Sequence, residues 1–262
     1  MPELEPKASD RVVVVTRPRA QADGLAQAVR AIGRTALVLP LLEIAPIDDP
    51  APLRAALAAL HDYALAVFVS PNAVDAAFAH LDAWPAAVPL AVVGEGSRAA
   101  LARHGVAAPG HTIHSPPDPA HSDSEHLLQS LDLALFAGRR VLIVRGDGGR
   151  ELLADALRAA GATVEAVAAY RRSTPVLTPG LAARLRVLLA QPNDWIITSS
   201  EALRGLAGLV GALGPGFQAQ FEQQHLIVPH ARIAETAHAL GLRHVTLTGS
   251  GDARLLAALQ SQ

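Results

Sequence analysis

The chain has no cysteine and few aromatic residues. The lack of cysteine excludes a disulfide framework, a thiolate metal site, an iron–sulfur cluster and a cysteine nucleophile. Phe, Trp and Tyr number five, two and two, although half of the 262 residues are hydrophobic. The core must therefore be built mainly from Ala, Val and Leu, which suits helices packed closely on sheets.

The chain also lacks an excess of either charge and any long hydrophobic run. Lys and Arg total 22, Asp and Glu total 24, and the net charge is −2, so no basic field attracts nucleic acid or an anionic membrane. No apolar run approaches the roughly 20 residues that span a bilayer, and residues 1–10 have neither the basic nor the apolar region of a secretory signal. We therefore expect a soluble, cytoplasmic protein that binds neither nucleic acid nor membrane and holds any anionic ligand through local groups.

Short β-branched runs alternate with longer Ala- and Leu-rich segments of helical period. After the first such run, apolar residues recur at spacings of three and four up to Ile32, which predicts a helix that ends at Gly33. The predicted strands are residues 12–15, 66–69, 90–93, 141–144, 195–198, 226–228 and 245–247. This alternation predicts an α/β architecture with parallel sheets.

Three pairs of segments repeat in the same order along the chain. The pairs are 65–74 with 194–203, 89–106 with 225–242, and 11–33 with 140–161. A shared order favours duplication, although any two βα units in an Ala-rich chain resemble each other. The segments 35–50 and 162–175 are extended in character and end in proline, and Pro40 and Pro46 argue against a central strand. We interpret these segments as two linkers that cross between two domains.

Motifs in a fixed order carry a family resemblance. In the first half they are Thr16-Arg17-Pro18, Pro40, FVSPNAV at residues 68–74, and Val93-Gly94 with Ser97. In the second half they are VLIVRG at residues 141–146, GATV at 161–164 before Ala169-Tyr170-Arg171, and ITSS at 197–200. Over about residues 11–259 the chain resembles the uroporphyrinogen-III synthase family. One segment departs: His230-Ala231-Arg232-Ile233 stands where the family often has a Gly and a Thr-Thr pair, and Arg232 could supply a charge-assisted contact there.

The resemblance implies two flavodoxin-like α/β domains with parallel sheets, joined by a two-stranded linker, with the active site in the interdomain cleft. It implies that residues 1–36 and 176–262 form one discontinuous domain, that 48–164 form the second, and that 37–47 and 165–175 are the crossing linkers. The implied reaction closes hydroxymethylbilane to uroporphyrinogen III in haem biosynthesis, with inversion of ring D through a spiro intermediate and without a cofactor. The implied protein is a monomer that receives its substrate from hydroxymethylbilane synthase.

The substrate implied by the resemblance carries eight carboxylates, and the loops that follow the strands offer a way to bind them. Free backbone N–H groups at helix N-termini bind anions, and the ligand crevice of an open α/β sheet lies at the carboxyl ends of its strands. The candidate substrate-binding residues are Thr16, Arg17, Ser70, Asn72, Gly94, Ser97, Arg145, Gly146, Ser199, Ser200, His230 and Arg232. Each Ser, Thr or Asn could instead be an ordinary N-cap. The equivalent positions of Ser70 and Ser199 in the two halves favour ligand binding.

Tyr170 is the candidate catalytic residue, because a phenol on the linker could donate a proton to the departing hydroxyl. It could instead pack on the linker and only position the substrate. No metal site is expected from the histidines, because none of their spacings places two ligands on one helical face. We interpret their segment as a solvated loop, with Ser122 or Ser124 capping a helix over 125–133; the histidines are His111, His114, His121 and His126.

A second function remains open for a chain of this type. Folds of this class also host two-domain proteins that close on a ligand without converting it. The alternative to the enzyme is therefore a two-domain cytoplasmic binding protein for an anionic small molecule.

Overall fold

The computed structural model describes residues 11–118 and 122–261, which form strands and helices in alternation. In chain order the strands are β1 (Val13–Val15), β2 (Ala36–Val38), β3 (Glu43–Pro46), β4 (Tyr63–Phe68), β5 (Leu90–Val92), β6 (Ile113–His114), β7 (Arg140–Gly146), β8 (Thr163–Ser173), β9 (Asp194–Ile196), β10 (His225–Val228) and β11 (Val245–Leu247). The helices are α1 (Arg19–Ala31), α2 (Ala51–Ala58), α3 (Pro71–Phe78), α4 (Glu95–Arg103), α5 (Ser124–Ser130), α6 (Leu152–Ala159), α7 (Pro179–Leu189), α8 (Ser200–Leu213), α9 (Phe217–Glu222), α10 (Ala231–Ala239) and α11 (Asp252–Gln260). The chain divides into two compact units: the second is Ile44–Arg172, and the first comprises the described residues before and after it.

The sheet of the first unit has the spatial order β11-β10-β9-β1-β2, and its neighbouring strands pair in parallel. Val13 and Val15 of β1 pack with Leu25 of α1, whereas Val14 packs on the opposite face with Leu203 of α8. All three valines are fully buried. Because both faces of the sheet are covered, β1 is a continuous apolar run rather than an alternating one.

The sheet of the second unit has the order β3-β8-β7-β4-β5-β6, and β4 lies near its centre. Strand β4 pairs in parallel with β5 and β7, and β7 pairs in parallel with β8. Leu65 and Val67 enter one hydrophobic core, and Ala66 and Phe68 enter another on the opposite face. The expected α/β architecture with parallel sheets is therefore confirmed.

The two sheets share one spatial order when the repeated segments are matched. In the first sheet the order is β2-β1-β9-β10-β11, and in the second the equivalent strands are β8-β7-β4-β5-β6. Strands β7 and β8 thus occupy the places of β1 and β2, and β4 to β6 occupy those of β9 to β11. Counted along the chain, the first order is 2-1-3-4-5, which is the flavodoxin-like arrangement.

The two segments interpreted as linkers contribute strands to the sheets. The first, residues 37–47, supplies part of β2 and all of β3, which are both edge strands, with Pro40 between them. In the second, residues 165–173 belong to β8, which lies in the sheet between β3 and β7, so strands from the two segments are neighbours there. Strand β8 has no proline and buries Val167, so it can pair on both sides.

The cap of α5 differs from the one expected. Asp123 is the N-cap, and its carboxylate accepts a hydrogen bond from the His126 N–H at 2.9 Å, because a carboxylate caps a helix as well as a hydroxyl does. The interpretation of Ser122 or Ser124 as the cap is therefore wrong. Among the described residues no group of three or more His, Asp or Glu side chains could hold a metal ion, and His121 lies outside those residues. Within residues 11–118 and 122–261, no helix is long and apolar enough to cross a membrane.

Candidate active site

Tyr170 of β8 and Ser70 at the end of β4 form a hydroxyl pair in the second unit. The Tyr170 Oη lies 2.9 Å from the Ser70 Oγ, and either oxygen can be the donor. Ser70 is the N-cap of α3, and its Oγ also accepts a hydrogen bond from the Ala73 N–H at 3.1 Å. Tyr170 is only 6% exposed, so its ring is buried and its Oη is held in place by Ser70.

A register shift in the sheet places Tyr170 at this position. Arg145 of β7 pairs with Ala168 of β8, but the next residue, Gly146, pairs with Tyr170, so Ala169 is passed over. An extra residue of this kind re-aims the side chains that follow it. The carboxyl ends of β4 and β7 and the end of β8 therefore bring Ser70, Gly146 and Tyr170 together.

These residues line a cavity of about 190 Å³. It contains four of the candidate residues, which are Ser70, Arg145, Gly146 and Tyr170. It also contains Arg150 and Arg172, which are not among the candidates predicted from the sequence, together with Ser124, Gly148 and Gly149. Three arginines around one small cavity favour the binding of an anion there.

The arginines are held by nearby acidic and carbonyl groups. The Arg145 Nη1 donates to the Glu151 Oε1 at 2.6 Å, and the Arg172 Nη2 donates to the Gly148 carbonyl at 2.9 Å. Arg150 forms a two-pronged ion pair with Glu125. Arg172 follows Tyr170 by two residues on one strand, so the two side chains share a face. That spacing is the sequence signal that could have identified Arg172.

Two larger cavities in the same unit are lined by other candidate substrate-binding residues. One of about 500 Å³ is lined mainly by apolar residues, with Asn72 and Tyr170 among them, so Tyr170 borders two cavities. The other, of about 480 Å³, contains Gly94 beside Arg98. Ser97 is buried in the first turn of α4. Apart from Ser97, the candidates of this unit are thus divided among three cavities rather than gathered in one.

In the first unit, three of the candidate side chains form hydrogen bonds or an ion pair within the protein. Thr16 is buried and its Oγ1 donates to the Ile196 carbonyl at 2.7 Å. Arg17 pairs with Asp252 at 2.8 Å. The Ser199 Oγ caps α8 by accepting from the Ala202 N–H at 3.4 Å. Ser70 and Ser199 therefore both act as N-caps at equivalent places in the two sheets.

The remaining three candidates of the first unit lie at helix starts. Ser200 is 7% exposed and its Oγ has no hydrogen-bond partner among the described residues. His230 occupies the N-cap position of α10, and its side chain makes no capping hydrogen bond. Arg232 is exposed in the first turn of α10.

The second tyrosine, Tyr63, lies at the amino end of β4, away from the strand ends that carry Ser70 and Tyr170. Its Oη donates to the Glu165 Oε2 at 2.6 Å, and Arg140 donates to the same carboxylate oxygen at 2.9 Å. Burial, and then the hydrogen bond to Glu165, raise the pKa of Tyr63 to about 12. The hydrogen bond from Tyr63, helped by Arg140, lowers the pKa of Glu165. This cluster ties β4, β7 and β8 together and serves the fold.

Known proteins are similar to this chain over nearly its whole length. A family model described as "Uroporphyrinogen-III synthase HemD" matches residues 23–249. The chain is 33% identical to the uroporphyrinogen-III synthase of Escherichia coli (strain K12) over 255 residues, covering 95% of this chain and 99% of that protein. It is 32% identical to the Salmonella typhimurium synthase over 259 residues, with the same coverage of the two chains.

Solved structures support the same fold. A mutant synthase from the extremely thermophilic bacterium Thermus thermophilus matches with a TM-score of 0.61 at 16% identity, covering 96% of both chains. The synthase from Helicobacter pylori 26695 also matches with a TM-score of 0.61 at 16% identity, covering 96% of this chain and all of that one. With the family model matching most of its length, the chain belongs to the uroporphyrinogen-III synthase family.

Proposed function

We propose that this chain closes hydroxymethylbilane to uroporphyrinogen III, as a cyclising lyase of haem biosynthesis that uses no cofactor. Membership of the family over residues 23–249 supports the reaction. One observation carries the proposal to particular residues: the Tyr170 and Ser70 hydroxyls lie 2.9 Å apart at the wall of a cavity that Arg145 and Arg172 also line.

The first chemical step is the loss of the hydroxyl group from the hydroxymethyl arm of ring A. The lone pair of the pyrrole nitrogen forms a C=N bond within the ring, and the displaced π electrons form an exocyclic C=C bond to the carbon of the arm as its C–O bond breaks. The oxygen leaves with the C–O electron pair, as water if it receives a proton. Tyr170 is the proposed donor. If the Ser70 hydroxyl donates to the Tyr170 Oη, the phenol keeps its own proton for the substrate.

The second step decides which isomer forms. Attack by the substituted carbon of ring D forms the spiro intermediate, whose bond to the neighbouring bridge then breaks before the ring recloses inverted. Attack by the free carbon of ring D gives the type I isomer and needs no enzyme. The protein must therefore select the attacking carbon by holding the folded chain in one geometry, which is catalysis by orientation.

The carboxylate arms are the groups by which the substrate can be held. We propose that Arg145, the Gly146 backbone and Arg172 bind one arm in the small cavity. The other candidates then serve further arms through hydroxyls, guanidinium groups or helix N-termini; they are Thr16, Arg17, Asn72, Gly94, Ser97, Ser199, Ser200, His230 and Arg232. Backbone N–H groups explain how a chain with a net charge of −2 can bind an octacarboxylate.

The test generates hydroxymethylbilane in situ, adds the protein, oxidises the product and separates the uroporphyrin isomers. We expect the type III isomer in excess over a control without protein. Type I alone would contradict the enzyme and leave an anion-binding protein in its place.

We further propose that the protein is a cytoplasmic monomer that receives its substrate directly from hydroxymethylbilane synthase. Free hydroxymethylbilane closes spontaneously to the type I isomer, and this loss of substrate favours its direct transfer between the two enzymes. Light scattering checks the monomer. For the transfer, dilution of both enzymes at a fixed ratio should leave the fraction of type I unchanged; a rise in that fraction would indicate release into solution.

A further inference from the structure

Arg145, which lines the 190 Å³ cavity, forms an ion pair with Glu151. The Arg145 side chain is 14% exposed, whereas the Glu151 side chain is 52% exposed. The arginine is thus fixed in the protein wall and the glutamate reaches it from solvent. This asymmetry means that Glu151 can leave the pair at low cost, whereas Arg145 cannot leave the cavity.

The surroundings of Glu151 support such an exchange. Glu151 occupies the N-cap position of α6, but its side chain makes no capping hydrogen bond. Its second carboxylate oxygen lies 3.8 Å from the Arg158 Nη1, so a cation is at hand when Glu151 releases Arg145. Because the Glu151 side chain is 52% exposed, water can solvate its carboxylate when it leaves Arg145, so a competing carboxylate can replace it.

A second arginine strengthens the attraction for an incoming anion. The place that a Cβ would occupy at Gly149 lies 3.4 Å from the Arg145 Nη2 and 3.9 Å from the Arg172 Nη2. The two guanidinium groups therefore converge on one glycine turn. Two cations this close favour the binding of a carboxylate between them.

The size of the cavity limits what can enter. At about 190 Å³ it is smaller than the roughly 300 Å³ at which pockets for drug-sized molecules begin. An acetate or propionate arm fits such a volume, whereas a whole tetrapyrrole does not.

We propose that Glu151 occupies, in the free protein, the place on Arg145 that a carboxylate arm of the substrate takes on binding. Glu151 is then an internal competitor that lowers the affinity for the substrate and keeps the Arg145 side chain in place until the substrate arrives. The inference rests on the proposed function, because that function supplies the carboxylate arm.

The experiment measures the Kd of uroporphyrin I, a fluorescent octacarboxylate, for the wild type and for Glu151→Gln. Glutamine keeps the length of the side chain and removes the competing charge. We expect Glu151→Gln to bind uroporphyrin I about two- to fivefold more tightly, which is the equilibrium equivalent of an exposed ion pair. The KM for hydroxymethylbilane should fall in parallel.

Asp155→Asn is the matched control for net charge. Asp155 lies in α6, four residues after Glu151, and it pairs with Arg158 at 3.3 Å rather than with Arg145. We expect Asp155→Asn to leave the Kd unchanged. An equal gain in both variants would show a general charge effect and overturn the proposal.

An Arg145→Gln background tests whether Glu151 acts through Arg145. We expect the gain from Glu151→Gln to vanish there, and a gain that persists would overturn the proposal. Equal or weaker binding by the single variant, or no binding of uroporphyrin I by either protein, would also overturn it. Thermal melting confirms that each variant is folded.

The two proposals fail in different ways. The binding of uroporphyrin I is measured without turnover, so the Kd ratio judges the role of Glu151 alone. A wild-type protein that forms no type III isomer would refute the proposed function. The ratio of the two Kd values for uroporphyrin I would still test whether Glu151 competes for Arg145.

Discussion

Tyr170 and Gly146 are register partners on neighbouring strands, and the Tyr170 ring occupies the space where a side chain at position 146 would lie. A Cβ at Gly146 would be 3.1 Å from the Tyr170 Cζ and 3.2 Å from its Cε2. The Arg172 Nε would be 3.3 Å away. Gly146 is therefore required for the close approach of the ring, whatever contact its backbone makes with a ligand.

Gly146→Ala should reduce both activity and stability. The added methyl group forces the Tyr170 ring to move by a few tenths of an ångström, and small misplacements of catalytic groups cost up to about 100-fold in rate. We expect kcat to fall about tenfold, with a loss of about 1–2 kcal/mol in the free energy of unfolding from overpacking. The isomer assay and urea denaturation measure the two effects.

Gly208→Ala is the control for this substitution. A Cβ at Gly208 of α8 meets no atom of the described residues within 4 Å, so activity should stay near that of the wild type, and stability should rise slightly because alanine favours the helix over glycine. Normal kcat in Gly146→Ala would show that the packing of Tyr170 against residue 146 does not matter for catalysis.

Tyr170→Phe tests the proton donor directly. It removes the Oη that lies 2.9 Å from Ser70 and keeps the ring, so we expect kcat to fall by about 100-fold or more, the usual contribution of a general acid. Tyr63→Phe removes the same group at the other end of the sheet and should keep kcat while lowering stability. Wild-type turnover by Tyr170→Phe would remove the assignment.

Substitution of Ser70 separates capping from positioning. Ser70→Ala loses the cap of α3 and the partner of Tyr170, so both stability, by about 1 kcal/mol, and activity should fall. Ser70→Asn keeps a capping oxygen but has no hydroxyl, so stability should return and activity should not. Recovery of both in Ser70→Asn would show that Ser70 acts as a cap alone.

The strands can be predicted from the sequence where both faces of a sheet are covered. Residues 12–15 and 226–228 are apolar runs of the kind that a parallel strand covered on both faces requires, and the structure places β1 and β10 there. Strand β8 is harder to identify, because its pairing partner β7 begins 23 residues earlier in the chain and gives no local signal. Extended segments with nearby prolines therefore resemble linkers although they supply strands.

The candidate site is only partly accessible to sequence reasoning. Ser70 and Tyr170 can each be identified separately, but a contact between residues 100 positions apart depends on strand order and on the register shift at Gly146. Arg172 can be linked to the site because it follows Tyr170 by two residues on one strand. No such spacing links Glu151 to the site. Glu151 contacts Arg145 because the turn that contains Gly148 and Gly149 brings the start of α6 back to the end of β7.

Asp194→Asn should destabilise the first unit strongly. Asp194 is fully buried and accepts hydrogen bonds from Arg34 at 2.5 Å and from the His225 Nδ1, when protonated, at 2.8 Å. Loss of its charge leaves the buried Arg34 uncompensated, which costs about 3–5 kcal/mol of the free energy of unfolding. Urea denaturation measures the loss.

Asp48→Asn provides the comparison for this prediction. Asp48 is 78% exposed and pairs with Arg171 at 2.8 Å, so its substitution should change stability by less than about 1 kcal/mol. Similar losses in the two variants would show that burial does not set the cost of breaking an ion pair in this protein.

Tyr63 and Glu165 give the fold a dependence on pH at both ends of the range. The pKa of Tyr63 is raised to about 12, so its stabilisation is complete below the ordinary tyrosine pKa of about 10 and is lost as the pH rises towards about 12. The pKa of Glu165 is lowered, so its stabilisation is complete above the ordinary glutamate pKa of about 4.3 and is lost as the pH falls.

Tyr63→Phe should reveal both losses, because phenylalanine does not ionise and cannot donate to Glu165. We expect the wild type to be more stable than Tyr63→Phe near neutral pH. The difference in the free energy of unfolding should shrink above about pH 10 and below about pH 4. Urea denaturation at closely spaced pH values measures the difference, and a value that stays constant from acid to alkali would contradict the assigned hydrogen bond between Tyr63 and Glu165.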